Sequence, residues 1–377
     1  MIPNIAPDLT PPPLIQGDAE LGELCARWSR TRAIGMDTEF VRERTWFPRP
    51  ALLQVSAGDE VWLVDPLRVA DWAPFARLLE DPSVVKVLHA VSEDLEVFEL
   101  LTGASPRNLF DTQLAGAFAG HGYSLGYRGL VEALLEVSLD KGETRSDWLR
   151  RPLSPAQLRY AALDVTYLLP MHGRLSGQLD ALGRSAWMNE ELDYQRRAKA
   201  ADKRPEAAYL RIRNRDQLRP ADHAVLRALC AWRESEAMAR DLPRRHLMTD
   251  DILMQLAAAE SVDAKALDNM QGLGRRTAAR YADAIRACVE KARRQGPEAV
   301  DSPVDLRPHA GTIKRLKRIV RQEAEILDMP PELLANRRAL ESLLVSVLDT
   351  GEAPVEFQGW RSEVITGKLI DCIHESN

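Results

Sequence analysis

Five residues of this chain have the types and spacing to do metal-dependent chemistry: Asp37, Glu39, Asp94, Tyr160 and Asp164. Asp37 and Glu39 lie in Ala33-Ile34-Gly35-Met36-Asp37-Thr38-Glu39-Phe40, which reads as a buried strand that suddenly carries two carboxylates. Residues i and i+2 of a strand share a face, so the two acids stand side by side, roughly 7 Å apart at about 3.3 Å per residue. Two like charges in an apolar setting are costly unless neutralised. A hard divalent cation such as magnesium, which prefers carboxylate oxygens, would do so. The same stretch also suits a strand end emerging into solvent with two ordinary surface acids. Asp94 follows Ala90-Val91-Ser92-Glu93 at the start of an apolar helical run. Ser92 is placed to cap that helix, and an acid in a first turn is favoured by the helix dipole, so Asp94 has a structural role open to it as well. Tyr160 and Asp164, four residues apart on a helix, project from one face. Tyr160 alone would suit an aromatic at the core edge whose hydroxyl completes a hydrogen-bond network.

The elements that must hold these residues alternate. Residues 1–16 are proline-rich and are expected to form an irregular arm. A helix over Asp18–Arg30 precedes the acidic strand. The loop 41–50, rich in arginine and aromatics, leads to a β-hairpin of Ala51–Ala57 and Val61–Asp65 across Gly58-Asp59-Glu60. A helix at Trp72–Leu79, a buried strand at Val84–His89, the Asp94 helix and a short strand-to-helix run at Asn108–Leu114 follow. Ser154-Pro155-Ala156-Gln157 carries the strongest helix start of the chain, with serine at the cap, proline at N1 and glutamine at N3. This order predicts an α/β layer, a mixed sheet flanked by helices.

After about residue 190 the composition shifts. Arg196, Arg197, Lys199, Lys203, Arg204, Arg211, Arg213, Arg215 and Arg219 face only Asp202, Glu206 and Asp216, and no strand pattern appears beyond them. The remainder repeats itself at a constant offset of 87 residues: Asp241-Leu242-Pro243 matches Asp328-Met329-Pro330, Leu247 matches Leu334, and Gln271-Gly272 matches Gln358-Gly359. Two copies of one small helical domain are expected, at 210–294 and 305–377, after a first domain at 17–194 and a basic linker at 195–209.

A chain of 377 residues is too long for one core. Its net charge of −6 argues against indiscriminate nucleic-acid binding but not against local basic patches. The four cysteines are scattered and form no CxxC pair, which suggests neither a zinc site nor a disulfide framework and fits a reducing, cytoplasmic setting. The opening residues lack an apolar core of the signal-peptide kind, and no membrane-spanning run is expected.

Taken in order, Asp37-Thr38-Glu39, His89-Ala90-Val91-Ser92-Glu93-Asp94-Leu95 and Tyr160-Ala161-Ala162-Leu163-Asp164 resemble the three motifs of the DEDD-type 3′→5′ exonucleases, in the subgroup with a tyrosine in the third motif. The segment Ser146–Ser154 is similar to the one that precedes the third motif, and the resemblance covers about residues 20–190. The C-terminal repeats resemble the helical HRDC domain, and an exonuclease domain followed by two HRDC repeats, with no helicase motor, resembles the bacterial ribonuclease D family. The resemblance implies a ribonuclease H-like mixed sheet followed by two all-α HRDC repeats. It also implies two divalent ions, magnesium or manganese, held by Asp37, Glu39, Asp94 and Asp164, with Tyr160 orienting the attacking water. The implied reaction is removal of 5′-mononucleotides from RNA 3′ ends, with 3′-extended tRNA precursors as substrate. A DNA 3′→5′ exonuclease and an inert nucleic-acid-binding scaffold are the alternatives. Arg42, Arg44, Trp46 and Phe47 follow the first motif and could meet the terminal nucleotides, or Trp46 and Phe47 could pack the loop down. The basic junction and Lys314-Arg315-x-Lys317-Arg318 are further candidates for phosphate contact.

Overall fold

The computed structural model describes residues 11–139, 146–295 and 306–375. The chain divides into two compact units. The first comprises residues up to Val41, Pro48–Tyr194 and the segment from Arg307 onward; the second comprises Arg42–Phe47 and Gln195–Leu306.

The first unit is built on a six-stranded mixed sheet, made of β1 (Leu14–Ile15), β2 (Ala33–Val41), β3 (Arg49–Ala57), β4 (Glu60–Val64), β5 (Val85–Leu88) and β6 (Leu109–Asp111), in the order β1-β4-β3-β2-β5-β6. β2 is central, antiparallel to β3 and parallel to β5. Leu14–Ile15 departs from the irregular arm expected at 1–16. These residues pair in parallel with Leu63–Val64, bury Ile15 and cover an edge of β4 that would otherwise present unpaired backbone. The first ten residues of that arm, and residues 140–145, lie outside the described residues.

Helices cover both faces, as the alternation along β4 shows. Trp62 meets Trp28 of α1 (Asp18–Trp28), ring centroids 5.6 Å apart. Leu63, the next residue and so on the other face, joins a cluster with Trp148 and Ala161 of α6 (Pro155–Thr166). Between them in sequence run α2 (Ala73–Glu80), α3 (Asp94–Thr102), α4 (Thr112–Phe118) and α5 (Tyr127–Leu135), and α7 (Leu168–Leu182) and α8 (Ser185–Asp202) follow. α6 starts with the full reciprocal capping box between Ser154 and Gln157 and with Pro155 at its first position. α3 begins at Asp94 without a side-chain cap, so Ser92 does not serve as the N-cap. Ala90 adopts a left-handed conformation (φ 59°) and its carbonyl accepts the Ser92 N–H at 2.7 Å, so residues 90–92 are spent in a tight turn before the helix can start.

The junction of α6 and α7 docks on β2 and β3. Ser56 Oγ donates to the Val165 carbonyl at 2.9 Å, and Gly35, paired opposite Ser56, lies so close to Leu168 that an added Cβ would come within 2.9 Å of the Leu168 Cβ. Gly35, Asp37 and Glu39 share one face of β2, so this close approach fixes α6 over the acidic end of the strand. The same unit contains α14 (Ala310–Leu327), α15 (Pro331–Leu334), α16 (Arg337–Thr350) and α17 (Gly367–His374). Buried Glu191 of α8 accepts from Trp360 Nε1 at 3.1 Å and from Arg361 at 2.6 Å, and Phe118 packs edge-on to Trp360.

The second unit is helical: α9 (Pro220–Ala239), α10 (Arg244–Leu247), α11 (Asp250–Ala258), α12 (Ala264–Asp268) and α13 (Arg275–Gln295) enclose a core that includes Leu226, Leu229, Leu253, Leu256 and Ile285. Among the described residues no strand follows β6. The basic stretch from Gln195 is helical at the end of α8 and 3₁₀ over Pro205–Arg211. α10 and α15, and the starts of α11 and α16, are each separated by the 87 residues of the sequence repeat, and Asp241 and Asp328 are both left-handed, at φ 49° and 48°.

Gly35→Ala should force α7 away from β2. We expect a loss of about 1–3 kcal/mol in chemical denaturation, the usual cost of overpacking, whereas an unchanged midpoint would show that the contact yields freely.

Candidate active site

Asp37 and Glu39 leave β2 on the face covered by α6, Asp94 opens α3, and Tyr160 and Asp164 lie one turn apart on α6. Thr38, between the two strand acids, donates its hydroxyl to Asp94 Oδ1 at 2.5 Å and so joins β2 to α3. Tyr160 packs against the cluster of Ala51, Leu52 and Trp148, its ring 6.0 Å from that of Trp148. Trp148 is set by Arg151, which donates to its carbonyl at 2.8 Å while forming a two-pronged ion pair with fully buried Asp65 (2.8 and 2.7 Å).

Four carboxyl groups lie close enough to influence one another: Asp94 is buried, and Asp37, Glu39 and Asp164 are half-buried. Burial, followed by the charges of Asp94, Asp164 and Glu39, holds the Asp37 carboxyl well above its ordinary range. Burial and the charges of Asp164 and Asp94 push Glu39 up to about 8. Burial also lifts Asp94 and Asp164 to about 7 each, opposed at Asp94 by the Thr38 hydroxyl and at Asp164 by the charge of Arg128 and a hydrogen bond from Tyr160. The Tyr160 phenol is raised by burial and by the charges of Asp164, Glu39 and Asp37, against the opposing charge of Arg128, so it stays protonated. Among the described residues, no three His, Cys, Asp or Glu side chains converge tightly enough to enclose a metal by themselves. The donor set is nonetheless all oxygen, which suits magnesium or manganese rather than a thiophilic metal. A divalent cation would relieve both burial and mutual repulsion here, and an open arrangement leaves positions for water and substrate.

Sequence reasoning did not find the residues that brace this site. Asp111 accepts the N–H groups of Ala90 and Val91 at 3.0 and 3.1 Å while capping α4 through Gln113 and Leu114. It therefore holds the left-handed turn that leads to Asp94. Tyr127 donates its hydroxyl to the Leu163 carbonyl at 2.8 Å and accepts the Tyr167 N–H at 3.1 Å, gripping α6 on either side of Asp164. Arg128, the next residue, is the cation whose charge reaches Asp164 and Tyr160. None of these belongs to a recurrent spacing; Asp111 before a helix was the one legible hint, as an N-cap type.

The loop after the first motif is held in the second unit. The Trp46 and Phe47 N–H groups both donate to Asp241 Oδ1 at 2.9 Å, Arg42 Nε donates to the Trp46 carbonyl at 2.8 Å, and the Arg244 guanidinium lies 5.3 Å from the Trp46 ring centre. Trp46 packs against the helical core of that unit, while Arg44 is exposed. In the basic stretch, Arg211 and Arg219 pair with Glu234 and Asp222. Lys314, Arg315 and Arg318 are exposed on α14.

Between about pH 4, where unfolded carboxyls ionise, and about pH 8, the native protein retains protons on Glu39, Asp94 and Asp164 that the unfolded chain has released. Metal-free stability should therefore fall as pH rises through that window. Added magnesium should raise the melting temperature more at pH 8 than at pH 5, because it competes with those protons. A metal-free melting temperature that falls as steeply with pH in Asp164→Asn as in the parent would count against this assignment. Asp241→Ala should speed hydrogen exchange at the Trp46 and Phe47 amides, leaving the α9 amides protected; equal protection in the variant would show that the carboxylate does not hold the loop.

Comparison with known proteins agrees with the geometry. A family profile described as 3′-5′ exonuclease matches residues 13–180, and one described as HRDC domain matches residues 222–289. Ribonuclease D of Pseudomonas paraeruginosa is 41% identical over 370 residues, spanning 96% of this chain and 97% of that protein. Ribonuclease D of Escherichia coli is 36% identical over 372 residues, spanning 96% and 98%. The crystal structure of the E. coli enzyme, described as an exoribonuclease involved in structured RNA processing, superposes with a TM-score of 0.87 at 34% identity, covering 96% of this chain and 98% of that one. With a mixed sheet, an acidic cluster drawn from three separate elements and an HRDC domain, the chain belongs to the ribonuclease D family of 3′→5′ exoribonucleases.

Proposed function

We propose that the chain trims the 3′ ends of tRNA precursors, releasing 5′-mononucleotides in the cytoplasm, with Asp37, Glu39, Asp94, Asp164 and Tyr160 as its catalytic residues. The observation that carries this assignment is the gathering of four carboxyl groups and one phenol from β2, α3 and α6, each acid raised by burial. Held by Asp37, Glu39, Asp94 and Asp164, two magnesium or manganese ions would supply an activated water and stabilise the departing 3′ oxygen. Tyr160, kept protonated, is suited to orient that water by hydrogen bonding rather than to remove its proton. Arg128 places positive charge beside Asp164 and Tyr160, where an incoming phosphate would bring negative charge. Arg42, Arg44 and Phe47 are the loop residues we assign to RNA contact, with Trp46 chiefly packing the loop.

We assign 17–194 to the exonuclease domain, 195–209 to a basic linker, and 210–294 and 305–377 to two HRDC domains. The matching positions of α10 and α15, and the two left-handed aspartates, support a second copy beyond the span of the family profile. Among the described residues no helix is long and apolar enough to cross a membrane.

The test is release of nucleotides from a 5′-labelled, 3′-extended tRNA, beside a DNA strand of matched sequence. Asp164→Asn should lower kcat/KM at least about 100-fold, since even the outer partners of metal ligands cost 10–100-fold. Metal-dependent trimming retained in Asp164→Asn would overturn the residue assignment, and faster trimming of the DNA strand would overturn the substrate.

A further inference from the structure

Gln54 is completely buried, at 0% exposure, and neither its Nε2 nor its Oε1 has a hydrogen-bond partner in the protein. A buried amide left in this condition destabilises the fold. Other inward polar groups of this strand do not share the problem: Ser56, two residues on, is satisfied by the Val165 carbonyl. Gln54 is also in a particular place. It is the direct cross-strand partner of Asp37. Directly paired residues of antiparallel strands point to the same face, with Cβ atoms about 5 Å apart. On β3 it stands between Leu52, which packs with Ala161 of α6, and Ser56, which bonds to α6. Its side chain is thus enclosed beneath α6, beside the Asp37 carboxyl, with unused donor and acceptor capacity.

We propose that Gln54 is a positioning residue for the metal site: in the metal-loaded protein its side-chain amide donates to the Asp37 carboxylate and fixes the orientation in which that carboxylate binds the cation. Ligating carboxylates are commonly hydrogen-bonded in turn by such outer partners. The amide without a partner in the protein is then a group kept for the metal site, at a cost in stability. This rests on Asp37 as a metal ligand and goes beyond it by naming what aims that ligand.

The proposal makes two readouts move in opposite directions. Gln54→Met and Gln54→Leu remove the amide but retain most of its volume. In metal-free protein both should melt at or above the parent temperature. Both should bind manganese about 10–100-fold more weakly, measured by calorimetry or by the electron paramagnetic resonance of free Mn²⁺. A Gln54 that serves only the fold would give the reverse pattern, a lower melting temperature with unchanged manganese affinity, and that result would overturn the proposal. Asp37→Asn is the control. If it binds manganese as tightly as the parent, Asp37 itself is not a ligand and the underlying assignment fails. If it loses binding while both Gln54 variants keep it, only the role of Gln54 fails. Should one variant not fold, the other still decides between these outcomes.

Discussion

Everything in the first unit is arranged around an unfavourable act, the gathering of four carboxyl groups, one buried and three half-buried, where water shields them poorly from one another. Burial alone disfavours the charged form, and each neighbouring acid adds to that penalty. Asp37 and Glu39 are raised by both effects, while burial is the main cause at Asp94 and Asp164. Such a cluster is tolerated where the acids hold protons or where a cation joins them, and it keeps its geometry only on a scaffold rigid enough to stop the acids drifting apart. Under the function proposed above both conditions would be used: the scaffold sets the acids close, and their unmet charge would become affinity for a divalent metal.

The rigidity comes from short connections across the sheet rather than from the bulk of the core. β2 carries two acids at the middle of the sheet, where β3 and β5 pin it on both sides. Thr38 fastens α3 to it, Gly35 and Ser56 admit α6, and Tyr127 holds α6 at Leu163 and Tyr167. Each of these groups lies within a few residues of an acid in sequence or space. A site assembled from segments more than a hundred residues apart is therefore positioned by contacts one or two side chains long.

Much of this was legible in the chain. The strand with its paired acids, the capped helix bearing Tyr160 and Asp164, and the hairpin are written in local periodicity and in residues whose backbone preferences are strong, such as Ser154 and Pro155. The 87-residue repeat was visible because turns that require a left-handed residue restrict what may stand there, as at Asp241 and Asp328. Other features depend on tertiary placement and leave little local trace. Asp111 looks like any N-cap, Arg128 like any helical arginine, and Gln54 like a polar interruption in an apolar strand. Ser92 misled because its type suits a cap, while the backbone of Ala90 had already used those residues for a turn. Nor does the pattern of apolar positions reveal that the two helical segments belong to different compact units, since that depends on what their outer faces meet.

The capture of residues 42–47 by the second unit makes the chain's modules inseparable in a practical sense. The sequence suggests a clean cut near residue 195, and a shortened enzyme would seem to need only what precedes it. Yet Trp46 takes its packing from the helical core of residues 208–292, and the backbone beside it takes its hydrogen bonds from Asp241. An exonuclease fragment cut there would carry a bare indole and two unsatisfied amides a few residues beyond Glu39. Minimal versions of this enzyme would have to redesign that loop, and natural rearrangements that lose the first helical segment would have to change it at the same time.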